Sequence, residues 1–327
     1  MKKNLLKTLK ILGPIAFGLF LIWYTYSSTS AGDRTLIYDY IISADPLWVG
    51  FSLIIGVLSH VSRAVRWNYL LGPLGYRPRL TSNILVILMG YFANLGIPRS
   101  GEILRATALT TYENVPFQKG FGTIITERVI DLFMLLLVVV VGLILQTDVL
   151  LDFFAQKGIS WTKIGYMAMG LISLGSFGLW ILMRSKNKVI TALKAKASDL
   201  LSGVFSVLKM EHKWRFIAHT LFIWTAYVGM FWVIKFTVPE TESLGGSALL
   251  VAFVAGAFAM SATNGGIGLY PIAIQKSLAI FGISIAAGNA FGWIMWISQT
   301  LLIVVLGGLS FLIIPFVSQK KISHGQT

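Results

Sequence analysis

Apolar residues in this chain come in long blocks separated by short polar stretches. The blocks run at about 11–28, 46–62, 80–97, 117–146, 161–183, 214–237, 247–263 and 283–316. A helix needs ~20 apolar residues to cross a hydrocarbon layer, so the pattern predicts a bundle of membrane helices. Eight full crossings is the simplest count, but the charges argue against it. It would place the loop with Arg184, Lys186, Lys188, Lys194, Lys196, Lys209, Lys213 and Arg215 outside. Lys and Arg instead collect in cytoplasmic loops.

If 80–115 and 247–282 each dip into the membrane and return to the same side, six crossings remain. Of 27 Lys and Arg, 22 then lie on the cytoplasmic side, and only Arg34, Lys157, Lys163, Lys235 and Lys276 lie outside. The expected fold is an all-α polytopic membrane protein. It has about six full transmembrane helices plus two re-entrant or broken helical segments. Lys2, Lys3, Lys7 and Lys10 precede an aromatic-rich first block with Phe17, Phe20, Trp23 and Tyr24, which predicts an uncleaved span starting inside. Both termini are expected in the cytoplasm. The stretch 186–210 has apolar residues on one helical face and Lys on the other, predicting an amphipathic helix on the inner membrane surface.

Composition agrees with this reading. Hydrophobic residues make up 56% and charged residues 12%, with a mean hydropathy of +0.76. These values exclude a soluble enzyme, a disordered chain and a nucleic-acid binder. The net charge of +14 follows from the positive-inside bias and implies no nucleic-acid partner. There is no Cys, hence no disulfide or thiolate site. Residues 1–327 are expected to form a single integral domain of the plasma (inner) membrane.

The two dips are related. GYFANLGIPRSG begins at Gly90 and GAFAMSATNGGIG at Gly256. The same offset pairs Phe92 with Phe258, Ala93 with Ala259, Gly122 with Gly288, Gly142 with Gly308 and Trp48 with Trp214. The units 46–146 and 212–316 each read as span, dip, span, and the charge-based topology starts them on opposite sides. Inverted repeats with interrupted helices that meet near the midplane are a transporter pattern. Pro98, Ser100 and Gly101 break the first dip, and Asn264, Gly265, Gly266, Gly268 and Pro271 break the second. Asn264, Gly265, Gly266 and Tyr270 are the expected second-repeat contribution to a cavity.

Charge is concentrated in one region. Arg99, Glu102, Arg105, Glu113, Lys119, Glu127, Arg128 and Asp131 balance one another in an otherwise basic protein. The charge-free run from Leu132 to Leu145 spans only ~21 Å of helix, short of a ~30 Å core. Asp131 is therefore expected within the hydrocarbon zone, where each charge is costly and must face the interior, pair or line a cavity. Glu127 and Asp131, four residues apart, share a helix face. Arg99 and Arg105 flank the first break and could grip a phosphate through paired N–H donors. Asn94, Arg99, Glu102, Arg105, Glu127, Arg128 and Asp131 are the candidate substrate-binding residues. Arg63 and Arg66, with Trp67 beside them, read either as an interfacial anchor or as a headgroup contact.

RAVRWNYLL (63–71), GYFANLGIPRSGEILR (90–105) and GTIITERVIDLF (122–133) resemble the lysylphosphatidylglycerol synthase transmembrane-region family, also called flippase-like or UPF0104 membrane proteins. The resemblance covers nearly the whole chain. Its Asn, Pro-Arg-x-Gly-Glu and Arg pattern falls on Asn94, Pro98, Arg99, Gly101, Glu102 and Arg105. Its Glu-Arg-x-x-Asp pattern falls on Glu127, Arg128 and Asp131. The resemblance implies lipid handling. No counterpart of the full synthase's aminoacyl-transferase domain is expected, so aminoacyl transfer is not implied.

There is no Walker A, HExxH or GxSxG pattern, and His60, His212, His219 and His324 lack metal-ligand spacing. The expectation is a non-enzymatic translocator of a phospholipid or lipid-linked anionic intermediate, with no cofactor and no metal. Two other classes stay open: a membrane-embedded headgroup transferase or hydrolase, and a non-transporting partner subunit. An oligomer is compatible with each.

Overall fold

The computed structural model describes residues 2–148, 161–185, 187, 190, 191, 207 and 210–318. The described residues form helices, with no strand. In chain order the α-helices are α1 (Lys2–Ser28), α2 (Ala31–Ile42), α3 (Pro46–Leu71), α4 (Leu80–Gly96), α5 (Ser100–Glu113), α6 (Phe117–Leu145), α7 (Trp161–Arg184), α8 (Lys213–Ile234), α9 (Gly246–Ala262), α10 (Leu269–Ala279) and α11 (Ile285–Ser318). The amphipathic helix expected over 186–210 falls almost wholly outside the described residues.

Four helical stretches are long and apolar enough to cross a membrane: 46–74, 117–145, 213–237 and 285–317. They are the first and last elements of the two repeat units. Between them lie the short pairs α4–α5 and α9–α10. Helices α1 and α7, 27 and 24 residues long, are the other two long helices among the described residues. The chain is an all-α polytopic membrane protein.

Helix α2 was not anticipated from the apolar blocks. It buries none of its residues, so it carries little hydrophobic signal. Local capping starts it instead. The Ser30 hydroxyl oxygen accepts from the Asp33 N–H at 3.1 Å, satisfying a first-turn donor.

Each short pair is an antiparallel hairpin. At the base of the first, the Ser82 hydroxyl donates to Glu113 at 2.6 Å. Midway, Gly90 faces the Arg105 stem, where a Cβ would lie 2.8 Å from its Cγ. At the tip, the Ser100 hydroxyl donates to the Ala93 carbonyl at 3.0 Å. In the second hairpin, Gly256 faces Tyr270 and Ile274, and Met260 lies against Gly266. The chain thus leaves each hairpin at the end where it entered, as re-entrance requires.

Helices α3 and α8 are antiparallel neighbours. Trp48 packs on Phe236 just beyond α8, Arg66 reaches Thr220, and Tyr69 packs on His212. Numbering rises along one helix as it falls along the other. The remaining contacts come in exchanged pairs. Helix α4 packs on α11 as α9 packs on α6, and α5 packs on α6 as α10 packs on α11. A rotation exchanging two antiparallel neighbours has its axis perpendicular to both. For membrane-crossing helices that axis lies in the membrane plane, the geometry of an inverted repeat.

The hairpin tips touch. The Asn264 side-chain amide donates to the Leu95 carbonyl at 2.7 Å, and Gly265 lies against Leu95. Exchanged elements that touch lie close to the axis, so both breaks sit near mid-depth of the bundle.

Candidate functional site

The buried charges come together where α3, α5, α6 and α8 meet. Arg63 and Arg66, one turn apart on α3, both reach Asp131 on α6. The Arg63 Nη1 donates to Asp131 Oδ2 at 2.7 Å, and Arg66 Nη1 to Oδ1 at 2.9 Å. Arg63 also donates to the Tyr227 hydroxyl at 2.9 Å. Arg66 Nη1 donates to the Thr220 hydroxyl at 3.3 Å. One turn earlier on α6, Glu127 accepts from Arg105 Nη2 at 2.7 Å. The Glu127 Oε1 stands 3.6 Å from Arg66 Nη2 without a hydrogen bond.

Aromatic side chains wall the cluster. The Arg105 guanidinium lies 4.1 Å over the Trp67 ring, and that indole donates to Thr123 at 2.9 Å. The Arg66 guanidinium lies 5.6 Å over Phe216. Such ring faces attract a cation in place of water.

This arrangement explains the local sequence. Glu127 and Asp131 sit on one face of α6 and so point at the same neighbours. Gly101 on α5 and Gly90 on α4 let the hairpin close until Arg105 reaches inward. A Cβ on Gly101 would run into the Gly90 carbonyl. The Gly101 N–H donates instead to Asn94 Oδ1 at 2.8 Å, so Asn94 stitches the break.

Three guanidinium groups face two carboxylates, leaving the cluster one positive charge in excess. Arg66 and Glu127 are 0% exposed, and Arg63 and Arg105 are 3% exposed. The Nε atoms of Arg63, Arg66 and Arg105, Nη2 of Arg66 and Oε1 of Glu127 have no hydrogen-bond partner among the described residues. Donors left unpaired away from water are costly, and a cation excess in low dielectric calls for an anion.

Apart from Arg63 and Arg66, the remaining candidates lie elsewhere. Arg63 and Arg66 are at the centre of the network, not at an interface, because Asp131 needs two cations and α3 presents them one turn apart. Glu102 accepts from Arg128 at 2.6 Å in a pair outside the buried cluster, with Arg128 largely exposed. Arg99 is exposed, with no ion pair or hydrogen bond among the described residues. Its backbone is left-handed, with φ 63° and ψ 12°. In the second repeat, Asn264 binds the first hairpin's tip, and the Gly265 carbonyl accepts from Trp296 at 2.7 Å. Gly266 and Tyr270 belong to the apolar core around Phe231 and Phe291, away from the ions.

Sequence reasoning missed Thr220 and Tyr227. Their signal is two polar positions seven residues apart, hence on one face of α8.

The sequence matches the family described as the lysylphosphatidylglycerol synthase TM region over residues 11–308. The chain belongs to this family. It is 26% identical over 179 residues to a UPF0104 membrane protein of Methanocaldococcus jannaschii, covering 53% of this chain and 47% of that protein. It is 26% identical over 287 residues to the glycosyltransferase AglD of Haloferax volcanii, covering 76% of this chain and 45% of that protein. The matches thus span about half the length of these relatives. No solved structure matches the chain.

Proposed function

We propose that this protein translocates a phospholipid or lipid-linked anionic intermediate across the plasma (inner) membrane. Both its termini lie in the cytoplasm, and it makes and breaks no covalent bond. The observation that supports this reading is the buried cation excess of Arg63, Arg66 and Arg105 over Glu127 and Asp131, with its unpaired N–H groups. A phosphate-bearing headgroup supplies the missing charge and acceptors. Glu127 is the exchangeable member, since its second oxygen is 3.6 Å from Arg66 and already lacks a hydrogen bond. Two re-entrant hairpins whose tips touch near mid-depth support the reading, because interrupted helices meeting there are a transporter pattern.

The test combines lipid analysis of the purified chain with proteoliposomes. The expected result is enrichment of a phosphate-bearing anionic lipid over the bulk membrane, and faster exchange of phosphatidylglycerol between leaflets than in protein-free vesicles. Neither enrichment nor acceleration would sink the reading.

One observation favours a second reading, transfer chemistry at a lipid headgroup: a relative is named a glycosyltransferase. A new covalent product formed by purified chain supplied with a sugar donor and membrane lipid would establish it instead.

A further inference from the structure

The two hairpins have first arms of equal length but breaks of unequal length: residues 97–99 separate α4 from α5, and residues 263–268 separate α9 from α10. Helices α4 and α9 both have 17 residues and superimpose in sequence at the offset pairing Gly90 with Gly256. That offset places Arg99 on Gly265. The two residues have nearly the same conformation: φ 63° and ψ 12° at Arg99, φ 62° and ψ 23° at Gly265. Both breaks therefore turn through positive φ, at Arg99 in the first and at Gly265, Gly266 and Gly268 in the second. Glycine adopts this freely, while a side chain brings its Cβ against the backbone. The second repeat uses the unstrained residue. The first keeps an arginine there, against its backbone preference.

The surroundings differ in the same sense. Helix α1 closes the second break, with Gly18, Leu21 and Ile22 packed on Ile267 and Gly268. Asn264 is 4% exposed. The first break is open, with Pro98 and Arg99 exposed and Ile97 48% exposed. Symmetry puts this break near mid-depth, where an unpaired cation facing lipid is strongly disfavoured. No carboxylate of the described residues pairs with it.

We propose that Arg99 is the docking cation for a phosphate-bearing anionic headgroup, which enters through the open first break on its way to the buried arginine cluster. This rests on the translocation reading above and adds to it the point of entry. The side chain is kept for the ligand, because the fold alone would be served better by glycine.

Arg99→Gly tests this directly, with Arg99→Lys beside it. The full chain in detergent is titrated with dioctanoyl phosphatidylglycerol, dioctanoyl phosphatidylcholine and inorganic phosphate, and its thermal unfolding is followed. Without ligand, Arg99→Gly melts at or above wild type, because strain is removed. It binds phosphatidylglycerol at least about tenfold more weakly, the size of one charge-assisted hydrogen bond. Arg99→Lys falls between, keeping the charge but losing the fork of donors. If inorganic phosphate binds the wild type as well as the lipid does, and Arg99→Gly loses both, the site stands with free phosphate as its ligand. An Arg99→Gly protein that keeps wild-type lipid affinity overturns the inference and leaves the translocation reading standing. One that melts below wild type shows Arg99 holding the fold and overturns it too. A wild type that binds none of the three overturns both.

Discussion

The two repeat units both fold back as hairpins, through a shorter break in the first than in the second, and fill them with different chemistry. From residue 80 to 145 the first carries eight charged residues, while from 246 to 318 the second carries only Lys276. The sixth residue of α5 is Arg105, which reaches Glu127; the sixth of α10 is Ile274, fully buried among Phe231, Phe291 and Tyr270. Glycines at equivalent positions, Gly90 and Gly256, admit a long polar stem in one hairpin and a tyrosine ring with an isoleucine in the other. Hairpin shape therefore depends on close backbone approach and a left-handed break, and not on the ions. The second unit serves as a packed apolar support against which the charged unit is held.

The sharpest way to break this contrast is to impose one unit's chemistry on the other. Ile274→Arg puts a guanidinium in an apolar core with no carboxylate nearby. An uncompensated buried charge costs ~3–5 kcal/mol, and here overfilling adds to it. The expected outcome is little or no folded protein by size-exclusion chromatography. Normal yield and melting would mean that the second core is wetter than its packing implies.

Within the charged unit, Asp131→Ala leaves Arg63 and Arg66 without their shared partner. Loss of ~3–5 kcal/mol is expected, read as a lower Tm and reduced expression. Arg105→Met alone strips Glu127 of its hydrogen-bonded cation and leaves it only Arg66, at 3.6 Å. Adding Glu127→Gln removes the carboxylate charge and is expected to recover most of the loss, since a whole buried pair is often replaceable at little net change. A double variant no more stable than the single would show Arg105 acting through packing on Trp67 instead of through charge.

Much of this architecture was legible in the sequence because its causes are local or additive. The spans follow from block length, the two dips from breakers and loop charge, and the shared face of Glu127 and Asp131 from their spacing. The pairing of Arg63 and Arg66 with Asp131 was not legible, because it joins residues more than sixty positions apart whose neighbours only packing decides. With no partner visible, the sequence leaves them open between an interfacial anchor and a headgroup contact. Arg99 was grouped with Arg105 because both flank the same break. Exposure separates them in the structure: Arg99 is exposed and Arg105 is buried.

The glycine pair offers a smaller, symmetric test. Gly90→Ala and Gly256→Ala each put a Cβ 2.8 Å from a neighbouring side-chain carbon. Overpacking of this kind costs ~1–3 kcal/mol. Arg105 has a flexible stem and Tyr270 a rigid ring, so Gly256→Ala is expected to lower the Tm more. The reverse order would mean that the buried ion pairs hold Arg105 more rigidly than the aromatic core holds Tyr270.

The smallest effect is expected at Glu102 and Arg128, the one ion pair of the first unit with a largely exposed partner. Its 2.6 Å contact is as short as those in the buried cluster, so geometry alone does not separate the two. Exposure does: the side chain of Arg128 is 42% exposed and that of Glu102 20%, against 4% and 1% for Arg105 and Glu127. If water reaches the pair, solvent screens it, and a double-mutant cycle with Glu102→Gln and Arg128→Gln should give a coupling of ~0.2–1 kcal/mol. That coupling should shrink further as salt is raised, because the Debye length falls to ~3 Å at 1 M. The same cycle on Arg105 and Glu127 should be larger and nearly insensitive to salt. A coupling at Glu102–Arg128 that is large and unaffected by salt would place the pair against lipid. The charged face of the first unit would then be sealed from water at this point, and a headgroup would have to arrive from within the membrane.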